Sequence, residues 1–511
     1  MSAPIPSPLT IPSFRAHRPS EVRHPAPITA TSSPRSILVF SGGSAMNTFV
    51  SILQGFTDDT AYIMPVSDDG GSTSEIIKVL GGPGIGDLRS RVVRLAETRG
   101  LEGRAVHDLL SYRLPFDEKL SAKEEWLEML EGRHHLWDGI SHPYRETIRT
   151  FLAHFQHELF RSATRKPLFN FQGGSIGNFF LTGSRLFFDN LDAAVFQFMR
   201  IMRVPPRTEV VPVLTTTRGA VVIAAAQRDG GVIYGQCEIS HPGQVMPEGA
   251  RTRSGSLKPT LIPFTSVTRS PSQNLIYSKT TSQSLSSPLR RIYYVNRERQ
   301  EIFPDINPVA AAQLSRKRTI IYGCGSLYTS ILPCLVVPEV GRMLADNTKS
   351  GGIASPYPIR DGTPPAARVK LLLLNGSHDR ETEGYTALDF VYAITDALNY
   401  SCMVEQKRGT AHRPSLPDID GNSSLPFTRD RDGKPVDSGR TYLGSPHPPA
   451  AYITHLLYPE DGEVRIDVER VEALGIRCVR VRKAARSVGL GQGRGLYGVE
   501  ELGEVLDCLV I

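Results

Sequence analysis

The apolar positions of the chain fall into short runs, and each run ends at a turn of glycine and small polar residues. The clearest runs are Ile37–Phe40, Ala61–Val66, Thr319–Tyr322 and Arg368–Leu374. Short, nearly continuous apolar runs are typical of strands that are buried on both faces of a parallel sheet. Helical patterns follow several of the turns, beginning with Asn47–Gly55. The sequence therefore predicts an α/β protein with a doubly wound, Rossmann-like parallel sheet.

Two interruptions of this alternation predict additions to the sheet. Residues 104–165 have a largely helical pattern and are expected to form a helical insertion. A small β excursion should follow, as an antiparallel meander of three strands at Glu209–Leu214, Ala220–Ala226 and Gly231–Gly235. The other expected elements are a strand at Arg291–Asn296, a helix at Asn307–Ser315, a helix end and a strand within Val471–Val481, and a final helix at Tyr497–Leu509.

Composition divides the chain into one ordered domain and several polar segments. Residues 1–35 are rich in Pro, Ser and Arg and are expected to be a disordered tail. Residues 36–511 are assigned to a single α/β domain. It should contain a disordered insertion at 245–290, a polar loop at 405–447 and a flexible glycine-rich connection at 489–495.

Charge and cysteine usage narrow the function classes. The net charge of +6 comes from residues 1–36, with +3, and residues 249–291, with +7, which leaves −4 for the rest. A basic excess confined to flexible segments argues against a folded nucleic-acid-binding face. The six cysteines include no CxxC pair, which argues against a zinc ribbon or a disulfide scaffold and suits a reducing compartment. No apolar stretch has the length of a membrane helix, so we expect a cytoplasmic protein without membrane partners, with a mitochondrial location as the alternative.

The first turn is a candidate phosphate cradle. Gly42, Gly43 and Ser44 lie between a predicted strand and a predicted helix. Glycine lets the backbone approach an anion closely, and a helix N-terminus offers free N–H groups. Such turns also occur without any ligand, so a plain tight turn remains the alternative.

The second turn carries carboxylates. Asp68 and Asp69 follow the second predicted strand, and Asp87 with Arg89 follows another glycine-rich segment. Because the carboxyl ends of parallel strands meet at one edge, these carboxylates are candidate catalytic residues and Mg²⁺ ligands, and Arg89 is a candidate phosphate partner. The alternatives are an N-cap for Asp87 and a solvated surface position for Arg89.

Two later turns supply further candidate nucleotide-binding residues. The first contains Ser175, Gly177 and Asn178, where the alternative is glycine required for close helix packing. The second follows the strand Thr319–Tyr322, where hydroxyls that merely cap a helix are the alternative. Its candidate residues are Gly325, Ser326, Thr329 and Ser330.

Taken in order, these motifs resemble the CofD-like family, which includes 2-phospho-L-lactate transferase and the YvcK-type gluconeogenesis factors. The matching segments are Ser41–Ser44, Val66–Ser72, Gly86–Arg89, Ser175–Asn178, Gly325–Pro333 and Glu383–Thr386. Two departures stand out. The first turn continues to Ala45 where the family has glycine, and Cys334 stands where the family has asparagine.

The resemblance implies a nucleotide-linked small molecule bound at the carboxyl edge of the sheet, by a protein that could form a homodimer. As a transferase, the protein would use Mg²⁺ held by Asp68, Asp69 or Asp87 and would move a phospho-lactyl-type group from a nucleotide donor to an acceptor hydroxyl. The alternative is a regulator of carbon metabolism or cell-envelope synthesis that binds a nucleotide-sugar without chemistry. An inactive scaffold that recruits partners through its basic segments is a third class.

Overall fold

The computed structural model of the chain describes residues 35–43, 45–116, 119–163, 168–215, 219, 221–240, 284–345, 368–409, 428–429, 435–436, 447–482 and 497–510. Several sequence expectations lie outside these residues. They are the tail up to residue 34, Ser44, the insertion up to residue 283, most of the loop 405–447 and the glycine-rich segment 489–495.

The strands of the described chain fall into three sheets. In chain order they are β1 (Ile37–Phe40), β2 (Thr60–Met64), β3 (Glu209–Pro212), β4 (Val222–Gln227), β5 (Val232–Tyr234), β6 (Leu289–Val295), β7 (Glu301–Ile302), β8 (Thr319–Tyr322), β9 (Val369–Leu373), β10 (Thr428–Arg429), β11 (Pro435–Val436), β12 (His455–Pro459) and β13 (Arg477–Val481).

The helices of the described chain pack mainly around the largest sheet. They are α1 (Asn47–Phe56), α2 (Gly71–Leu80), α3 (Gly86–Leu95), α4 (Leu101–Ser111), α5 (Lys119–Glu131), α6 (His142–Ala163), α7 (Ile176–Phe188), α8 (Leu191–Ile201), α9 (Gln236–Ser240), α10 (Pro308–Arg316), α11 (Leu332–Leu335), α12 (Val340–Ala345), α13 (Ala387–Gly409), α14 (Pro449–Tyr452), α15 (Val468–Ala473) and α16 (Val499–Leu509). A 3₁₀ turn (His135–Trp137) precedes α6, and a π turn (Leu327–Ile331) precedes α11.

The main sheet has seven parallel strands in the order β13-β12-β9-β8-β1-β2-β3. The chain winds outward from β1 through β2 to β3, then returns to β8 and winds outward in the other direction. This order confirms the predicted doubly wound, Rossmann-like sheet, and it places the topological switch point between β1 and β8. All four residues of β1 and all four of β8 are buried, as their unbroken apolar sequences require.

The small β excursion differs from its prediction in one strand. Glu209–Pro212 is β3 and pairs parallel with β2 at the edge of the main sheet, so its assignment to the meander was wrong. An apolar run specifies a buried strand without specifying its partner, which is why the sequence could not separate the two cases. The excursion is instead a four-stranded antiparallel sheet in the order β5-β4-β6-β7.

Other boundaries shift where polar residues belong to regular elements. Helix α13 continues to Gly409 and β10 pairs antiparallel with β11, both within the predicted polar loop. Strand β6 begins at Leu289, two residues inside the predicted insertion. The helical insertion comprises α4, α5 and α6 and begins at Leu101. No helix of the described residues is long and apolar enough to cross a membrane.

Candidate functional site

The turns after β1 and β8 meet at the switch point. A Cβ atom added to Gly42 would lie 2.2 Å from Ser330 Oγ, so no side chain fits between the two turns. Gly325, in the β8 turn, has φ of +145° and lies opposite Ala45, whose Cβ is 3.6 Å from the position a Gly325 Cβ would take. Glycine is therefore required at Gly42 for space and at Gly325 for backbone conformation.

Asp87 lies directly beneath the β1 turn. A Cβ on Gly43 would be 2.2 Å from Asp87 Oδ1, and the Gly43 N–H donates a hydrogen bond to this carboxylate. Asp87 lies within the first turn of α3, whose N-cap is Ile85, so it is not the cap that the alternative interpretation supposed. Its Oδ2 is buried and has no hydrogen-bond partner among the described residues. Burial raises the pKa of Asp87 to about 6, although the positive charges of Arg91 and Arg89 oppose the shift.

Asp68 adjoins Asp87 from the β2 turn. Its carboxylate accepts hydrogen bonds from the Gly70 N–H at 3.1 Å and from Thr73 Oγ1 at 3.4 Å. A Cβ on Gly86 would lie 2.0 Å from Asp68 Oδ2, so α3 approaches this carboxylate as closely as its backbone allows. Burial, followed by the charge of Asp87, raises the pKa of Asp68 to about 7. The two carboxylates thus share one partly enclosed site.

Asp69 is oriented differently. Its Oδ1 accepts a hydrogen bond from the Cys237 N–H at 2.8 Å, at the start of α9. Among the described residues, no group of three or more His, Cys, Asp or Glu side chains is close enough to hold a metal ion. Within the described part of the chain the three carboxylates therefore form no metal-binding group, and the charge of Asp87 acts on Asp68 more strongly than that of Asp69 does. Two carboxylates still suit Mg²⁺, which commonly takes one or two from the protein and its other ligands from phosphate and water.

Three arginines surround the carboxylate pair, and the sequence singled out only Arg89. Its Nε donates to Asn178 Oδ1 at 3.3 Å, and burial lowers its pKa to about 10. Arg91 is fully buried under the β1 turn and donates to the carbonyls of Gly42 and Gly43 at 3.1 and 3.3 Å. Arg113 lies two residues beyond the end of α4, and burial lowers its pKa although the nearby charge of Asp68 opposes the shift.

The Ser175–Asn178 segment packs against residues that adjoin the carboxylate pair. Ser175 Oγ caps α7 by accepting the Asn178 N–H at 3.4 Å, and a Cβ on Gly177 would lie 2.4 Å from the carbonyl oxygen of Leu110. The buried Asn178 side chain donates to Ser72 Oγ at 2.7 Å. Capping and close packing thus account for Ser175 and Gly177, while Asn178 links Arg89 to the start of α2.

The hydroxyl groups of the β8 turn differ in the contacts that they make within the protein. Ser326 makes no side-chain cap to the π turn and is half-buried at the switch point. The Thr329 hydroxyl donates to Glu381 Oε1 at 2.5 Å, so it is already bound within the protein. Asn375 fixes Gly325 by accepting its N–H and donating to its carbonyl. The sequence did not single out Glu381 or Asn375 as site residues, although Asn375 directly follows a predicted strand.

Comparison with known proteins identifies the family. The family model described as 2-phospho-L-lactate transferase CofD matches residues 37–357, more than half of the 511-residue chain. The chain belongs to the CofD family. An uncharacterised protein of Saccharomyces cerevisiae, YNL011C, is 32% identical over 479 residues, which cover 87% of this chain and 95% of that protein.

More distant relatives of this CofD-family protein are named gluconeogenesis factors. The one from Halalkalibacterium halodurans is 20% identical over 71% of this chain and 73% of that protein. The one from Bacillus subtilis is 22% identical over 60% of this chain and 62% of that protein. Among solved structures, protein BH3568 of Bacillus halodurans covers 92% of this chain and 99% of its own, with a TM-score of 0.52 and 15% identity. At that identity the likeness supports the fold alone.

Proposed function

We propose that this CofD-family protein binds the pyrophosphate of a nucleotide-linked molecule at the switch point and transfers a phospho-lactyl-type group to an acceptor hydroxyl. The observation that carries the proposal is the contact between the Gly42 and Ser330 turns, beside Asp87 Oδ2, which has no hydrogen-bond partner in the part of the chain that the structure describes. Open α/β sheets bind ligands at this position, outside the carboxyl ends of the strands.

The charge balance of the site favours an anionic ligand. Arg89, Arg91 and Arg113 contribute three positive charges around the two carboxylates Asp68 and Asp87. The carboxylates also have raised pKa values, which reduces their negative charge near neutral pH. A phosphate group would therefore enter a site with a positive excess even before a cation is bound.

A divalent cation fits the carboxylate pair. Asp87 would hold it through Oδ2, with Asp68 as the neighbouring ligand, and Asp69 is not part of the set. When bound, Mg²⁺ neutralises charge on the transferring and leaving oxygens. This assignment narrows the three candidate metal ligands to two.

The residues of the chain would position the reactants. Arg89 would hold a phosphate, and the N–H groups and hydroxyls of the two turns would hold the pyrophosphate in line with the acceptor. The acceptor oxygen forms a bond to the phosphorus that carries the lactyl-type group. The bond from that phosphorus to the bridging oxygen breaks, a nucleoside monophosphate leaves, and the hydroxyl proton passes to the Asp68–Asp87 pair or to the departing phosphate.

A non-catalytic regulator is the second candidate function, because three relatives of the chain are named as gluconeogenesis factors. In that case the same pocket would bind a nucleotide-sugar and leave it unchanged. Asp69 binds the start of α9 and does not join the carboxylate pair. A site with fewer acidic groups could still bind the ligand without catalysing transfer, which also fits a regulator.

A binding screen followed by a turnover assay tests both. Thermal stability is measured with nucleotides and nucleotide-sugars, with and without Mg²⁺, for the native chain, Asp87→Asn and the control Asp58→Asn, whose side chain is 55% exposed. We expect Mg²⁺-dependent stabilisation that is lost only in Asp87→Asn. Release of a nucleoside monophosphate in the presence of an acceptor would support the transferase. Binding without release would support the regulator, and absence of all nucleotide binding would refute both.

A further inference from the structure

Helix α9 crosses the carboxyl edge of the main sheet. Its N-terminal end is bound by Asp69, which follows β2, and its C-terminal end is bound by Arg380, which follows β9. In the sheet, β2 and β9 are the outer neighbours of the β1–β8 pair. A helix bound at both of these points must therefore pass over the ends of β1 and β8.

The contacts at the N-terminal end are close. Asp69 Oδ1 accepts the Cys237 N–H at 2.8 Å, and Ser67 Oγ donates to Gln236 Oε1 at 3.4 Å. Gly235 has φ of +90°, and a Cβ there would lie 2.8 Å from Asp69 Oδ2. The start of α9 thus lies directly against the turn that carries Asp68.

The C-terminal end is held by a cation. Arg380 Nη1 donates to the carbonyl of Glu238 at 2.7 Å and also to that of Ile239. Carbonyls in the last turn of a helix lack intrahelical partners and carry partial negative charge, so a guanidinium is a favourable partner. The two anchors complement the two ends of the helix.

The dimensions agree with this placement. Three strand spacings separate β2 from β9, which is about 14 Å. The five residues of α9 span about 7 Å as a helix, which is about half of that distance. Helix α9 also contacts the π turn Leu327–Ile331, which follows β8.

The sheet that carries α9 is itself fixed on the β8 side. Tyr328 and Tyr385 both donate through their hydroxyls to the Leu289 carbonyl in β6, at 3.1 and 2.9 Å. Tyr294 in β6 donates to the Pro333 carbonyl at 2.8 Å. Because these buried contacts fix the sheet to one side of the cleft, the contacts of Asp69 and Ser67 connect α9 to the other side.

We propose that α9 forms the outer wall of the ligand site, and that Asp69 and Arg380 are positioning residues that hold it across the switch point. The ligand in this inference rests on the proposed function, whereas the position of α9 rests on the contacts described above. It gives Asp69, which the sequence offered as a metal ligand, a different role.

The anchors are tested first on the full-length chain without ligand. Amide hydrogen exchange at 236–240 is compared between the native protein, Asp69→Ala, Asp69→Asn and Arg380→Ala, with the exposed Asp108→Ala as control. We expect exchange to accelerate by roughly tenfold or more in Asp69→Ala. Asp69→Asn retains an acceptor oxygen and should stay near native, and β1 amides should not change. Unaltered exchange of the α9 amides in both Asp69→Ala and Arg380→Ala would refute the claim that these two residues hold the helix.

The wall is tested with Mg²⁺ and inorganic pyrophosphate as the probe. The probe should slow exchange at α9 in the native protein, and its dissociation constant should rise roughly five- to twentyfold in Asp69→Ala and Arg380→Ala, with the Mg²⁺ dependence unchanged. Loss of Mg²⁺-dependent binding in Asp69→Asn would identify Asp69 as a metal ligand and overturn the proposal. Binding that leaves α9 exchange unaltered would also overturn it. If the native protein binds no pyrophosphate, both the proposed function and the role of α9 as a wall of the ligand site are refuted. The ligand-free exchange experiment still tests separately whether Asp69 and Arg380 hold α9.

Discussion

A buried carboxyl group under the β8 turn should make the stability of the protein depend on pH. Glu381 is 2% exposed, and its Oε2 accepts the N–H groups of Tyr328 and Thr329 at 2.8 and 3.2 Å. Its Oε1 lies 2.5 Å from the Thr329 hydroxyl oxygen. Burial, reinforced by the charge of Asp379, raises the pKa of Glu381 to about 8 from the ordinary 4.5, although these hydrogen bonds oppose the shift.

The sign of the effect follows from proton linkage. Between about pH 4.5 and pH 8, Glu381 is protonated in the folded protein and ionised in the unfolded chain. The folded state then binds one proton more, so the free energy of unfolding falls by about 1.4 kcal/mol per pH unit as the pH rises. From pH 5 to pH 7 the loss is on the order of 2 to 3 kcal/mol. The contribution is fully present below pH 4.5 and is lost as the pH rises through 8.

The substitution Glu381→Gln isolates this contribution. A proton on Glu381 Oε1 would turn the Thr329 hydroxyl from donor to acceptor. A glutamine carbonyl can accept both backbone N–H groups and its amide can donate to Thr329 Oγ1, so Glu381→Gln imitates that protonated acid. Urea unfolding from pH 5 to pH 8.5 should therefore give a native-minus-variant difference that becomes more negative with pH, with the slope given above. Glu460→Gln, whose side chain is 43% exposed, serves as the control and should give a flat difference. If the difference in the free energy of unfolding between native and Glu381→Gln did not change with pH, the conclusion that Glu381 is protonated in the folded protein would be refuted.

Three further predictions concern the cation, the glycine turn and a buried ion pair. Asp87→Asn should abolish the effect of Mg²⁺ on ligand-induced thermal stabilisation, measured by differential scanning fluorimetry, because none of the described residues binds its Oδ2, which is therefore available to a cation. Gly42→Ala should abolish pyrophosphate binding in calorimetry, because the new Cβ would lie 2.5 Å from Ser330 Cβ, and adding Ser330→Gly should restore part of it, since the space returns but one hydroxyl of the turn is lost. Lys317→Met should lower the free energy of unfolding by about 3 kcal/mol, and adding Asp59→Asn should recover part of the loss, because the Lys317 ammonium and the Asp59 carboxylate form a buried pair at 2.5 Å.

The sequence predicted the sheet well because its central strands are specified locally. Strands β1 and β8 begin and end at the predicted residues, since each apolar run stops at a glycine-containing turn. Once the strands are parallel, their carboxyl ends must share an edge, so the turns with Gly42 and Ser326 were placed together correctly in the prediction. Strand β12 was missed, because its short sequence includes a histidine and a proline that weaken the apolar signal.

The side-chain partners could not be predicted in the same way. Arg91 supports the Gly42 and Gly43 carbonyls from a helix about 50 residues away, and no local pattern distinguishes it from Arg89 two positions earlier. Glu381 likewise binds the N–H group of Thr329 from 52 residues away. Such pairings depend on which helix packs against which turn, and that information appears only when the chain is folded.

The two neighbouring aspartates show how one short motif can serve both faces of a cleft. Asp68 adjoins Asp87 beside the Gly43 turn, while Asp69 binds the Cys237 N–H at the start of α9. In the sequence the pair looked like two equivalent ligands. If the positions of their partners are decisive, Asp68→Asn should impair Mg²⁺-dependent binding, whereas Asp69→Asn should retain it, because only Asp69 has a role that an uncharged acceptor can fill.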